Sequence, residues 1–349
     1  MEVVAEYRFR KIDRIDNGEG LNSEGVWKAL DLQTQAEIAV KEIKKSDFPT
    51  ADKYFAEAKA MFASSHPNVV PILTASQTKD CVCLGMPLMG GSLAGKIEVN
   101  PLKPKDLRAL AQQVLAGLGA IHAANTIHFD IKPSNILFSN KGQAALADFG
   151  QAREAGPSGI TLLPNRMYTL LVPPESIHTG IGSIESDIYQ LGVMLYRAAN
   201  GEEFFSNELS KTCSKKTLAE VISAGSIAKS TAYLPHVSSK FRRIINRATN
   251  ADPSKRYSNA DSMMNDIAKL SFVHDWKTTI STNKTRWDSK PMRKARILID
   301  LIEASKKFDV EIHTKGSGNL RKYRTSDWLK GVSYSNADKR LRQLFSDLG

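Results

Sequence analysis

His128-Phe129-Asp130-Ile131-Lys132-Pro133-Ser134-Asn135-Ile136-Leu137, followed shortly by Ala147-Asp148-Phe149-Gly150, is the stretch on which the reading of this chain turns. Before it come Leu107, Leu110, Ala111, Val114, Leu115, Leu118 and Ile121, whose spacing marks a broadly buried amphipathic helix. The uncharged run around that helix, residues 109–129, is long enough for a bilayer span. Gln112, Gln113, His122 and Asn125 interrupt it, so the reading is a buried helix in a protein with no membrane span.

Further upstream the chain reads as strand, glycine loop, strand, strand. Residues 7–15 alternate loosely, and Gly18, Gly20 and Gly25 punctuate the turn that follows. Glycines at a strand–strand turn let backbone N–H groups come close to phosphate oxygens. A Walker-type loop needs Lys and then Ser or Thr after its last glycine; Val26 and Trp27 stand there, which excludes that mechanism. Ile38-Ala39-Val40-Lys41 is an apolar strand ending in one lysine, an ammonium suited to phosphates on a rigid element. A helix comes next, with Phe55, Ala58, Met61 and Phe62 on one face, Glu57 beside them, and His66-Pro67-Asn68 ending it. In isolation Glu57 reads as a solvated helix residue. Placed after Lys41, it reads as the partner that aims the lysine.

Lys41, Glu57, the segment from Asp130 to Asn135 and Asp148-Phe149-Gly150 occur in the order and approximate spacing of one family's motifs. So do Pro173-Pro174-Glu175, Asp187-Ile188-Tyr189-Gln190-Leu191-Gly192 and Asp252-Pro253-Ser254-Lys255-Arg256. Together they resemble the eukaryotic-type (Hanks-type) serine/threonine protein kinase family over residues 1–270. The resemblance implies an α+β, two-lobed kinase-like fold: a small β-rich N-lobe of about residues 1–87 and a larger helical C-lobe of about residues 88–270. It implies ATP and Mg²⁺ as cofactors, with Mn²⁺ as a substitute, and a protein substrate. Phosphoryl transfer spreads negative charge over the moving group, so the protein's task is positioning and electrostatic stabilisation. On this resemblance the catalytic residues are Asp130, which accepts the substrate hydroxyl's proton, Lys132 at the γ-phosphate, Lys41 at the α/β-phosphates, and Glu57, which orients Lys41. Asn135 and Asp148 would bind metal. Gly18, Gly20, Gly25, Val26, Ala39, Lys41 and Leu137 would surround ATP, with hinge backbone near Met86 and Leu88 at the adenine edge. Glu175 and Arg256 would form a structural ion pair, and Asp187 would brace the catalytic loop. Every metal and phosphate position is filled, so an active enzyme is expected rather than a silent kinase-fold binding protein. Lys132-Pro133-Ser134 resembles the serine/threonine-specific members.

Four departures stand out. The glycine loop has two extra residues between Gly20 and Gly25, which predicts a longer cover over the phosphates. Phe129 replaces the arginine that in the family receives activation-segment phosphate. Phosphorylation at Ser158, Thr161, Tyr168 or Thr169 would therefore need another reader. Gly85 aligns with the gatekeeper and predicts a cavity behind the adenine, unless a one-residue slip puts Met86 there. Met167-Tyr168-Thr169 stands where the family has Gly-Thr, and a one-residue shift of the loop would let Thr169 support the substrate hydroxyl.

Residues 271–349 lie beyond the resemblance. The chain's 349 residues are 42% hydrophobic and 24% charged, an ordinary globular balance that excludes a disordered or fibrous protein. Three cysteines are too few for a disulfide framework and read as reduced thiols of a cytoplasmic protein. The first residues, with Glu2 and Glu6, lack the apolar run of a secretion signal. The net charge of +11 is uneven: residues 271–349 hold 17 basic and 9 acidic side chains, a net +8. That surplus predicts an anionic partner, with a solvated basic face as the plain alternative. Residues 276–290 read as a connecting segment, 290–308 as a helix through Met292, Ala295, Ile299 and Ile302, 310–313 as a short strand, and 315–319 as a turn. Residues 326–332 and 335–348 read as helix, turn and helix, with Gly331 as C-cap. The segment is thus expected to be a small, mostly helical C-terminal module. It is read as a targeting or regulatory tail: a helix-turn-helix-like binder of DNA or RNA, an annex packed on the large lobe through Trp276, Trp287 and Trp328, or a surface that docks a protein or an anionic lipid membrane.

Overall fold

The computed structural model describes residues 6–15, 25–48, 50–165, 167–291, 296–315 and 320–348. The first lobe is a five-stranded antiparallel sheet of β1 (Phe9–Arg14), β2 (Gly25–Asp31), β3 (Glu37–Lys44), β4 (Thr74–Gln77) and β5 (Cys81–Pro87), in the order β1-β2-β3-β5-β4. Helix α1 (Ala56–Ala63) comes between β3 and β4 in sequence. Strand β3 is covered on both faces. Ile38 and Val40 pack with Ala29 and Cys83, while Ile43 packs with Ala58 of α1 and with Val82 and Leu84. Side chains alternate along a strand, so Lys41 shares the α1 face with Ile43.

The second lobe is mainly helical: α2 (Leu93–Ile97), α3 (Pro104–Ala123), α4 (Ser176–Thr179), α5 (Ile184–Asn200), α6 (Glu202–Cys213), α7 (Leu218–Ser223), α8 (Ser239–Ala248) and α9 (Ala260–Ala268). Short strands form three antiparallel pairs within it: β6 (Thr126–Ile127) with β9 (Arg153–Glu154), β7 (Ile136–Phe138) with β8 (Ala144–Leu146), and β10 (Ile160–Leu162) with β11 (Ile181–Ser183). The apolar stripe of α3 from Leu107 to Ile121 is buried as its spacing predicts. Helix α5 is buried on every side from Ser186 to Tyr196, which makes it the axis of the lobe. Each such fully buried Leu or Ile contributes about 1.5–3 kcal/mol of transfer free energy. The two-lobed α+β architecture is the expected one.

The C-terminal segment is not mostly helical. It is a six-stranded antiparallel sheet of β12 (His274–Ser281), β13 (Lys284–Pro291), β14 (Arg296–Ala304), β15 (Lys307–Lys315), β16 (Leu320–Lys322) and β17 (Leu329–Val332). Strands β12 to β16 run in sequence order, β17 pairs with β15, and one helix, α10 (Tyr334–Leu348), crosses the sheet. The connecting segment expected at 276–290 is strand, and so is the described part of the helix expected at 290–308. The first helix expected at 326–332 is a 3₁₀ turn (Thr325–Asp327) followed by β17, so the helix-turn-helix reading is overturned. Gly331 keeps a left-handed φ of 60°, but inside β17 rather than at a helix end. Gly18, Gly20, Met292, Ala295 and residues 316–319 lie outside the described residues.

The misreading has a physical cause. Strand β14 is buried continuously from Ile297 to Leu301, so its two covered faces erase the alternation that marks a strand. Its hairpin to β15 turns on Ser305 and Lys306, with φ of 51° and 63°; that is the type I′ shape without the Asn or Gly that usually announces it. The stripe of α10 (Ala337, Leu341, Leu344, Phe345) is as read, and it packs against Trp276, Trp287, Ile299, Val310 and Ile312.

This sheet is joined to the helical lobe by specific bonds. The backbone N–H of Lys105, in the first turn of α3, donates to Asp275 Oδ1 at 3.1 Å, so β12 caps a helix that has no side-chain cap of its own. Ile280 N donates to Asn100 Oδ1 at 2.9 Å, and Arg342 Nη2 to the Tyr233 carbonyl at 2.7 Å. Trp287, fully buried, donates its indole N–H to His236 Nδ1 at 3.1 Å. His236 also stacks near Phe345 of α10. Burial pulls the His236 imidazole down to about 3, so it is a neutral acceptor.

A pH effect on stability follows. The unfolded His236 takes up a proton near pH 6.5 and the folded one only near 3, so acid favours the unfolded chain throughout that window. Stability should fall by about 1.4 kcal/mol per pH unit below 6.5 through this residue alone. Urea unfolding at pH 7 and pH 5 should show a drop about 2 kcal/mol larger in the native chain than in His236→Gln. Equal drops would remove His236 from the account.

Candidate active site

The lysine at the end of the apolar strand meets two carboxylates. Lys41 Nζ lies 2.7 Å from Glu57 Oε1 on α1 and 2.6 Å from Asp148 Oδ1, which follows β8 in the other lobe. Burial alone would depress this ammonium, but Asp148 and Glu57 outweigh it and raise its pKa. Burial works against the Asp148 charge too, yet Lys41 and the Gly150 N–H hold it down at about 2. Burial pushes Glu57 upward, so of the two acids Asp148 keeps the firmer charge. The ion pair therefore joins the two lobes across the cleft.

A second group sits on the loop between β6 and β7. Asp130 Oδ2 accepts from Asn135 Nδ2 at 2.7 Å and lies 3.0 Å from Lys132 Nζ. The same amide donates to the Asp130 carbonyl at 2.9 Å, closing the loop on itself. Burial raises the Asp130 pKa, while Lys132 opposes that rise. Ala147 N donates to the Asn135 carbonyl at 2.9 Å, which fixes this loop to the residue before Asp148. All six polar residues singled out in the sequence, Lys41, Glu57, Asp130, Lys132, Asn135 and Asp148, thus fall into two linked clusters. The oxygen donors of Asn135 and Asp148 have the chemistry that hard divalent cations prefer.

The apolar candidates gather as well. Met86 and Leu137 pack in one cluster with Val70, Ala145 and Ala147, and Ala39 pairs with Met86 across β3 and β5. Val26 pairs with Lys41, Gly25 opens β2, and Leu88 follows β5. At Gly85 the expected open cavity is modified. Thr74, its partner on β4, places Cγ2 only 2.4 Å from where a Gly85 Cβ would stand. A neighbouring strand thus fills space beside the missing side chain.

The loop is held from below by α5. Asp187, with no exposed surface, accepts the N–H groups of His128 and Phe129, both at 2.8 Å, and His122 Nε2 lies 2.9 Å from its Oδ2. Gln190, one turn later, accepts from Ile131 N at 3.0 Å and donates to the carbonyls of Phe129 and Leu171. Sequence reasoning picked out Asp187 but missed Gln190 and His122. Gln190 was findable: three residues after Asp187, it must share its helix face. Arg256, its side chain fully buried, binds Glu175 through both nitrogens at 2.9 and 2.5 Å. Phe129 is buried at a left-handed φ of 60°, and its Cε1 would lie 2.5 Å from a Cβ on Gly182 of β11. Near Lys132 it is the Tyr168 ring that approaches, at 5.8 Å from Nζ, while Thr169 opens a 3₁₀ turn.

Comparison with known proteins gives a consistent result. The family model for the protein kinase domain matches residues 14–271. The chain is 28% identical over 324 residues to the serine/threonine-protein kinase PrkC of Bacillus subtilis, covering 89% of this chain and 48% of that protein. It is 27% identical over 284 residues to the serine/threonine-protein kinase PknL of Mycobacterium tuberculosis, covering 78% of this chain and 69% of that one. With the probable serine/threonine-protein kinase PknB of Lactococcus lactis the identity is 26% over 269 residues, 75% of this chain and 42% of the other. The chain spans about half the length of two of these relatives and about two thirds of the third.

Phe129 offers a test of the site's support. Phe129→Arg introduces a charge where the side chain has no access to solvent. The substitution should cost about 3–5 kcal/mol in urea unfolding, the range for an uncompensated buried charge. A loss under 1 kcal/mol would show that the site accepts a cation.

Proposed function

The chain belongs to the protein kinase family, and from that premise we propose that it is an ATP-dependent serine/threonine kinase acting on protein hydroxyls. The observation that carries the proposal is the junction of two clusters: Asp130 held by Asn135 and Lys132, and Lys41 held between Glu57 and Asp148. Relatives named as serine/threonine-protein kinases support the substrate class.

Family members use ATP with a divalent cation, and here we assign Mg²⁺ to Asn135 and Asp148. When bound, that cation would neutralise charge on the phosphate oxygens. Lys41, kept charged by its acidic neighbours, takes the α/β-phosphates, and Glu57 holds its aim. The acceptor hydroxyl comes to Asp130. As its oxygen bonds to the γ-phosphorus and the bond to the leaving ADP oxygen breaks, the hydroxyl proton passes to the Asp130 carboxylate. Lys132 balances the charge of the moving group. Val26, Ala39 and Leu137 enclose the adenine, whose edge meets the backbone at Met86 and Leu88; Gly25 belongs to the cover over the phosphates. Cys81, Cys83 and Cys213 are free thiols, which supports a reducing, cytoplasmic setting. No helix among the described residues is long and apolar enough to cross a membrane.

Incubation with γ-labelled ATP and Mg²⁺ should label serine or threonine in a generic basic protein or in the chain itself. Asp130→Ala should lower the rate by about 10²–10⁴-fold, the usual worth of a positioned base, with nucleotide affinity kept. Equal labelling by both proteins, or none by either, overturns the proposal. Lys132→Ala should in addition move the acid limb of kcat/KM to higher pH. The base works deprotonated, and removing the cation that opposes its raised pKa lets that pKa climb further. An unmoved limb would assign the acid titration to another group.

A further inference from the structure

Tyr168, in the segment between Asp148 and Glu175, is a large aromatic side chain left 45% exposed. Its ring stands over the ammonium of Lys132, with Nζ 5.8 Å from the centroid. A cation within roughly 6 Å of a ring centroid is attracted by the negative face of the ring. Among the described residues this is the one aromatic face that meets a cation of the two catalytic clusters.

The amide that seats the loop also seats the ring. Leu171 N donates to the Tyr168 carbonyl at 2.8 Å, which ties Tyr168 to the 3₁₀ turn Thr169–Leu171. Gln190 Nε2 donates to the Leu171 carbonyl at 3.1 Å and to the Phe129 carbonyl at 3.0 Å, while its oxygen accepts from Ile131 N at 3.0 Å. Phe129 and Ile131 flank Asp130, so one fully buried side chain fixes the backbone of Tyr168 against that of the loop. Lys132 Nζ also meets Asp130 Oδ2 at 3.0 Å, and Asn135 Nδ2 donates to the same oxygen at 2.7 Å. Neither bond takes Oδ1. A lysine ammonium sits on a flexible four-carbon stem, and a carboxylate as its one anchor would let it swing between the two oxygens. The ring face is a second anchor, and with the Lys132 side chain only 17% exposed, water weakens the attraction little.

We propose that Tyr168 is a positioning residue for phosphoryl transfer: its ring holds the Lys132 ammonium at Asp130 Oδ2, so that Oδ1 is left to the acceptor hydroxyl. The proposal rests on the kinase reading above. A cation already fixed in place need not be reorganised as charge develops on the moving group, which is how preorganisation lowers a barrier. The effect therefore belongs to kcat, and nucleotide binding stays with Lys41.

Tyr168→Leu, which keeps an apolar side chain and removes the ring face, should lower kcat about fivefold with the KM for ATP unchanged. Tyr168→Phe, which retains the ring, should hold kcat within about twofold of native. Phenylalanine carrying one, two and then three ring fluorines at position 168 should lower it stepwise, because fluorine drains the ring face and leaves its shape nearly unaltered. In a chain that already carries Lys132→Ala, Tyr168→Leu should cost no further rate. A native rate in Tyr168→Leu, a flat fluorine series, or a full second loss on top of Lys132→Ala overturns the proposal. The contact is also read without turnover, from the ε-methylene NMR signal of Lys132 in a chain with isotope-labelled lysine, identified by its loss in Lys132→Ala. Tyr168→Leu should move that signal downfield as the shielding of the ring is removed, and an unmoved signal overturns the hold. A moved signal in a chain that transfers no phosphate would sink the kinase proposal and leave the hold on Lys132 standing.

Discussion

Asp187 has no exposed surface, and its two carboxylate oxygens take three N–H groups: the backbone of His128, the backbone of Phe129 and the imidazole of His122. A buried carboxylate left short of donors would cost several kcal/mol, so the loop above it has one low-energy seat. That seat requires Phe129 at a left-handed φ of 60°, and Asp148 nearby adopts 64°. For side chains with a Cβ each such residue costs roughly 1–2 kcal/mol, and the strain persists only where the surroundings over-determine it. Here Asp187 and Gln190 supply that determination from a single turn of α5, the most deeply buried helix of the lobe. Asp130 and Asn135 inherit their positions from it.

The same carboxylate explains why losing an arginine before Asp130 is tolerable. In this chain the position holds a phenylalanine that turns inward and lies against Gly182 of β11. Strand β11 pairs with β10, in the segment after Asp148, through Ile160–Ser183, Thr161–Gly182 and Leu162–Ile181. The segment is therefore held by backbone bonds and apolar contact, where an arginine would have held it by charge. Such contact does not draw on charge attraction, which salt screens, as a pair of charges does. Gly182 is what makes it possible, because any Cβ there would meet the ring.

The legibility of these features in the sequence differs by what each demands. Lys41, Asp130, Asn135 and Asp148 are readable because charge placement tolerates few substitutes and fixes their spacing along the chain. Gln190 and His122 went unread because a buried hydrogen-bonding partner has no identity until its neighbour in space is known. The filling of the space at Gly85 by Thr74 depends on strand register, which one sequence does not reveal. The C-terminal sheet failed for a simpler reason. Alternation signals a strand only when one face is wet, and β14 is dry on both.

That dryness changes the meaning of the C-terminal charge. Of the segment's basic residues, Lys284 and Arg286 lie on Asp300, Arg296 on Asp288, Arg340 on Asp327 and Arg342 on Asp338. Asp275 caps α3, and the Asp309 carboxylate takes the N–H of Gly331. Acids outnumbered by bases are thus spent on structure, either pairing with lysines and arginines or accepting backbone N–H groups. The excess charge lies on the other lysines and arginines of this segment, without the two-helix motif that would bring it to a groove in nucleic acid. What the sheet does contribute is covered apolar surface around His236 and a cap for the helix that leads into the loop of Asp130. Position 105 and the loop at 128–135 are joined by α3 itself, so the segment beyond residue 270 reaches that loop through the frame it completes.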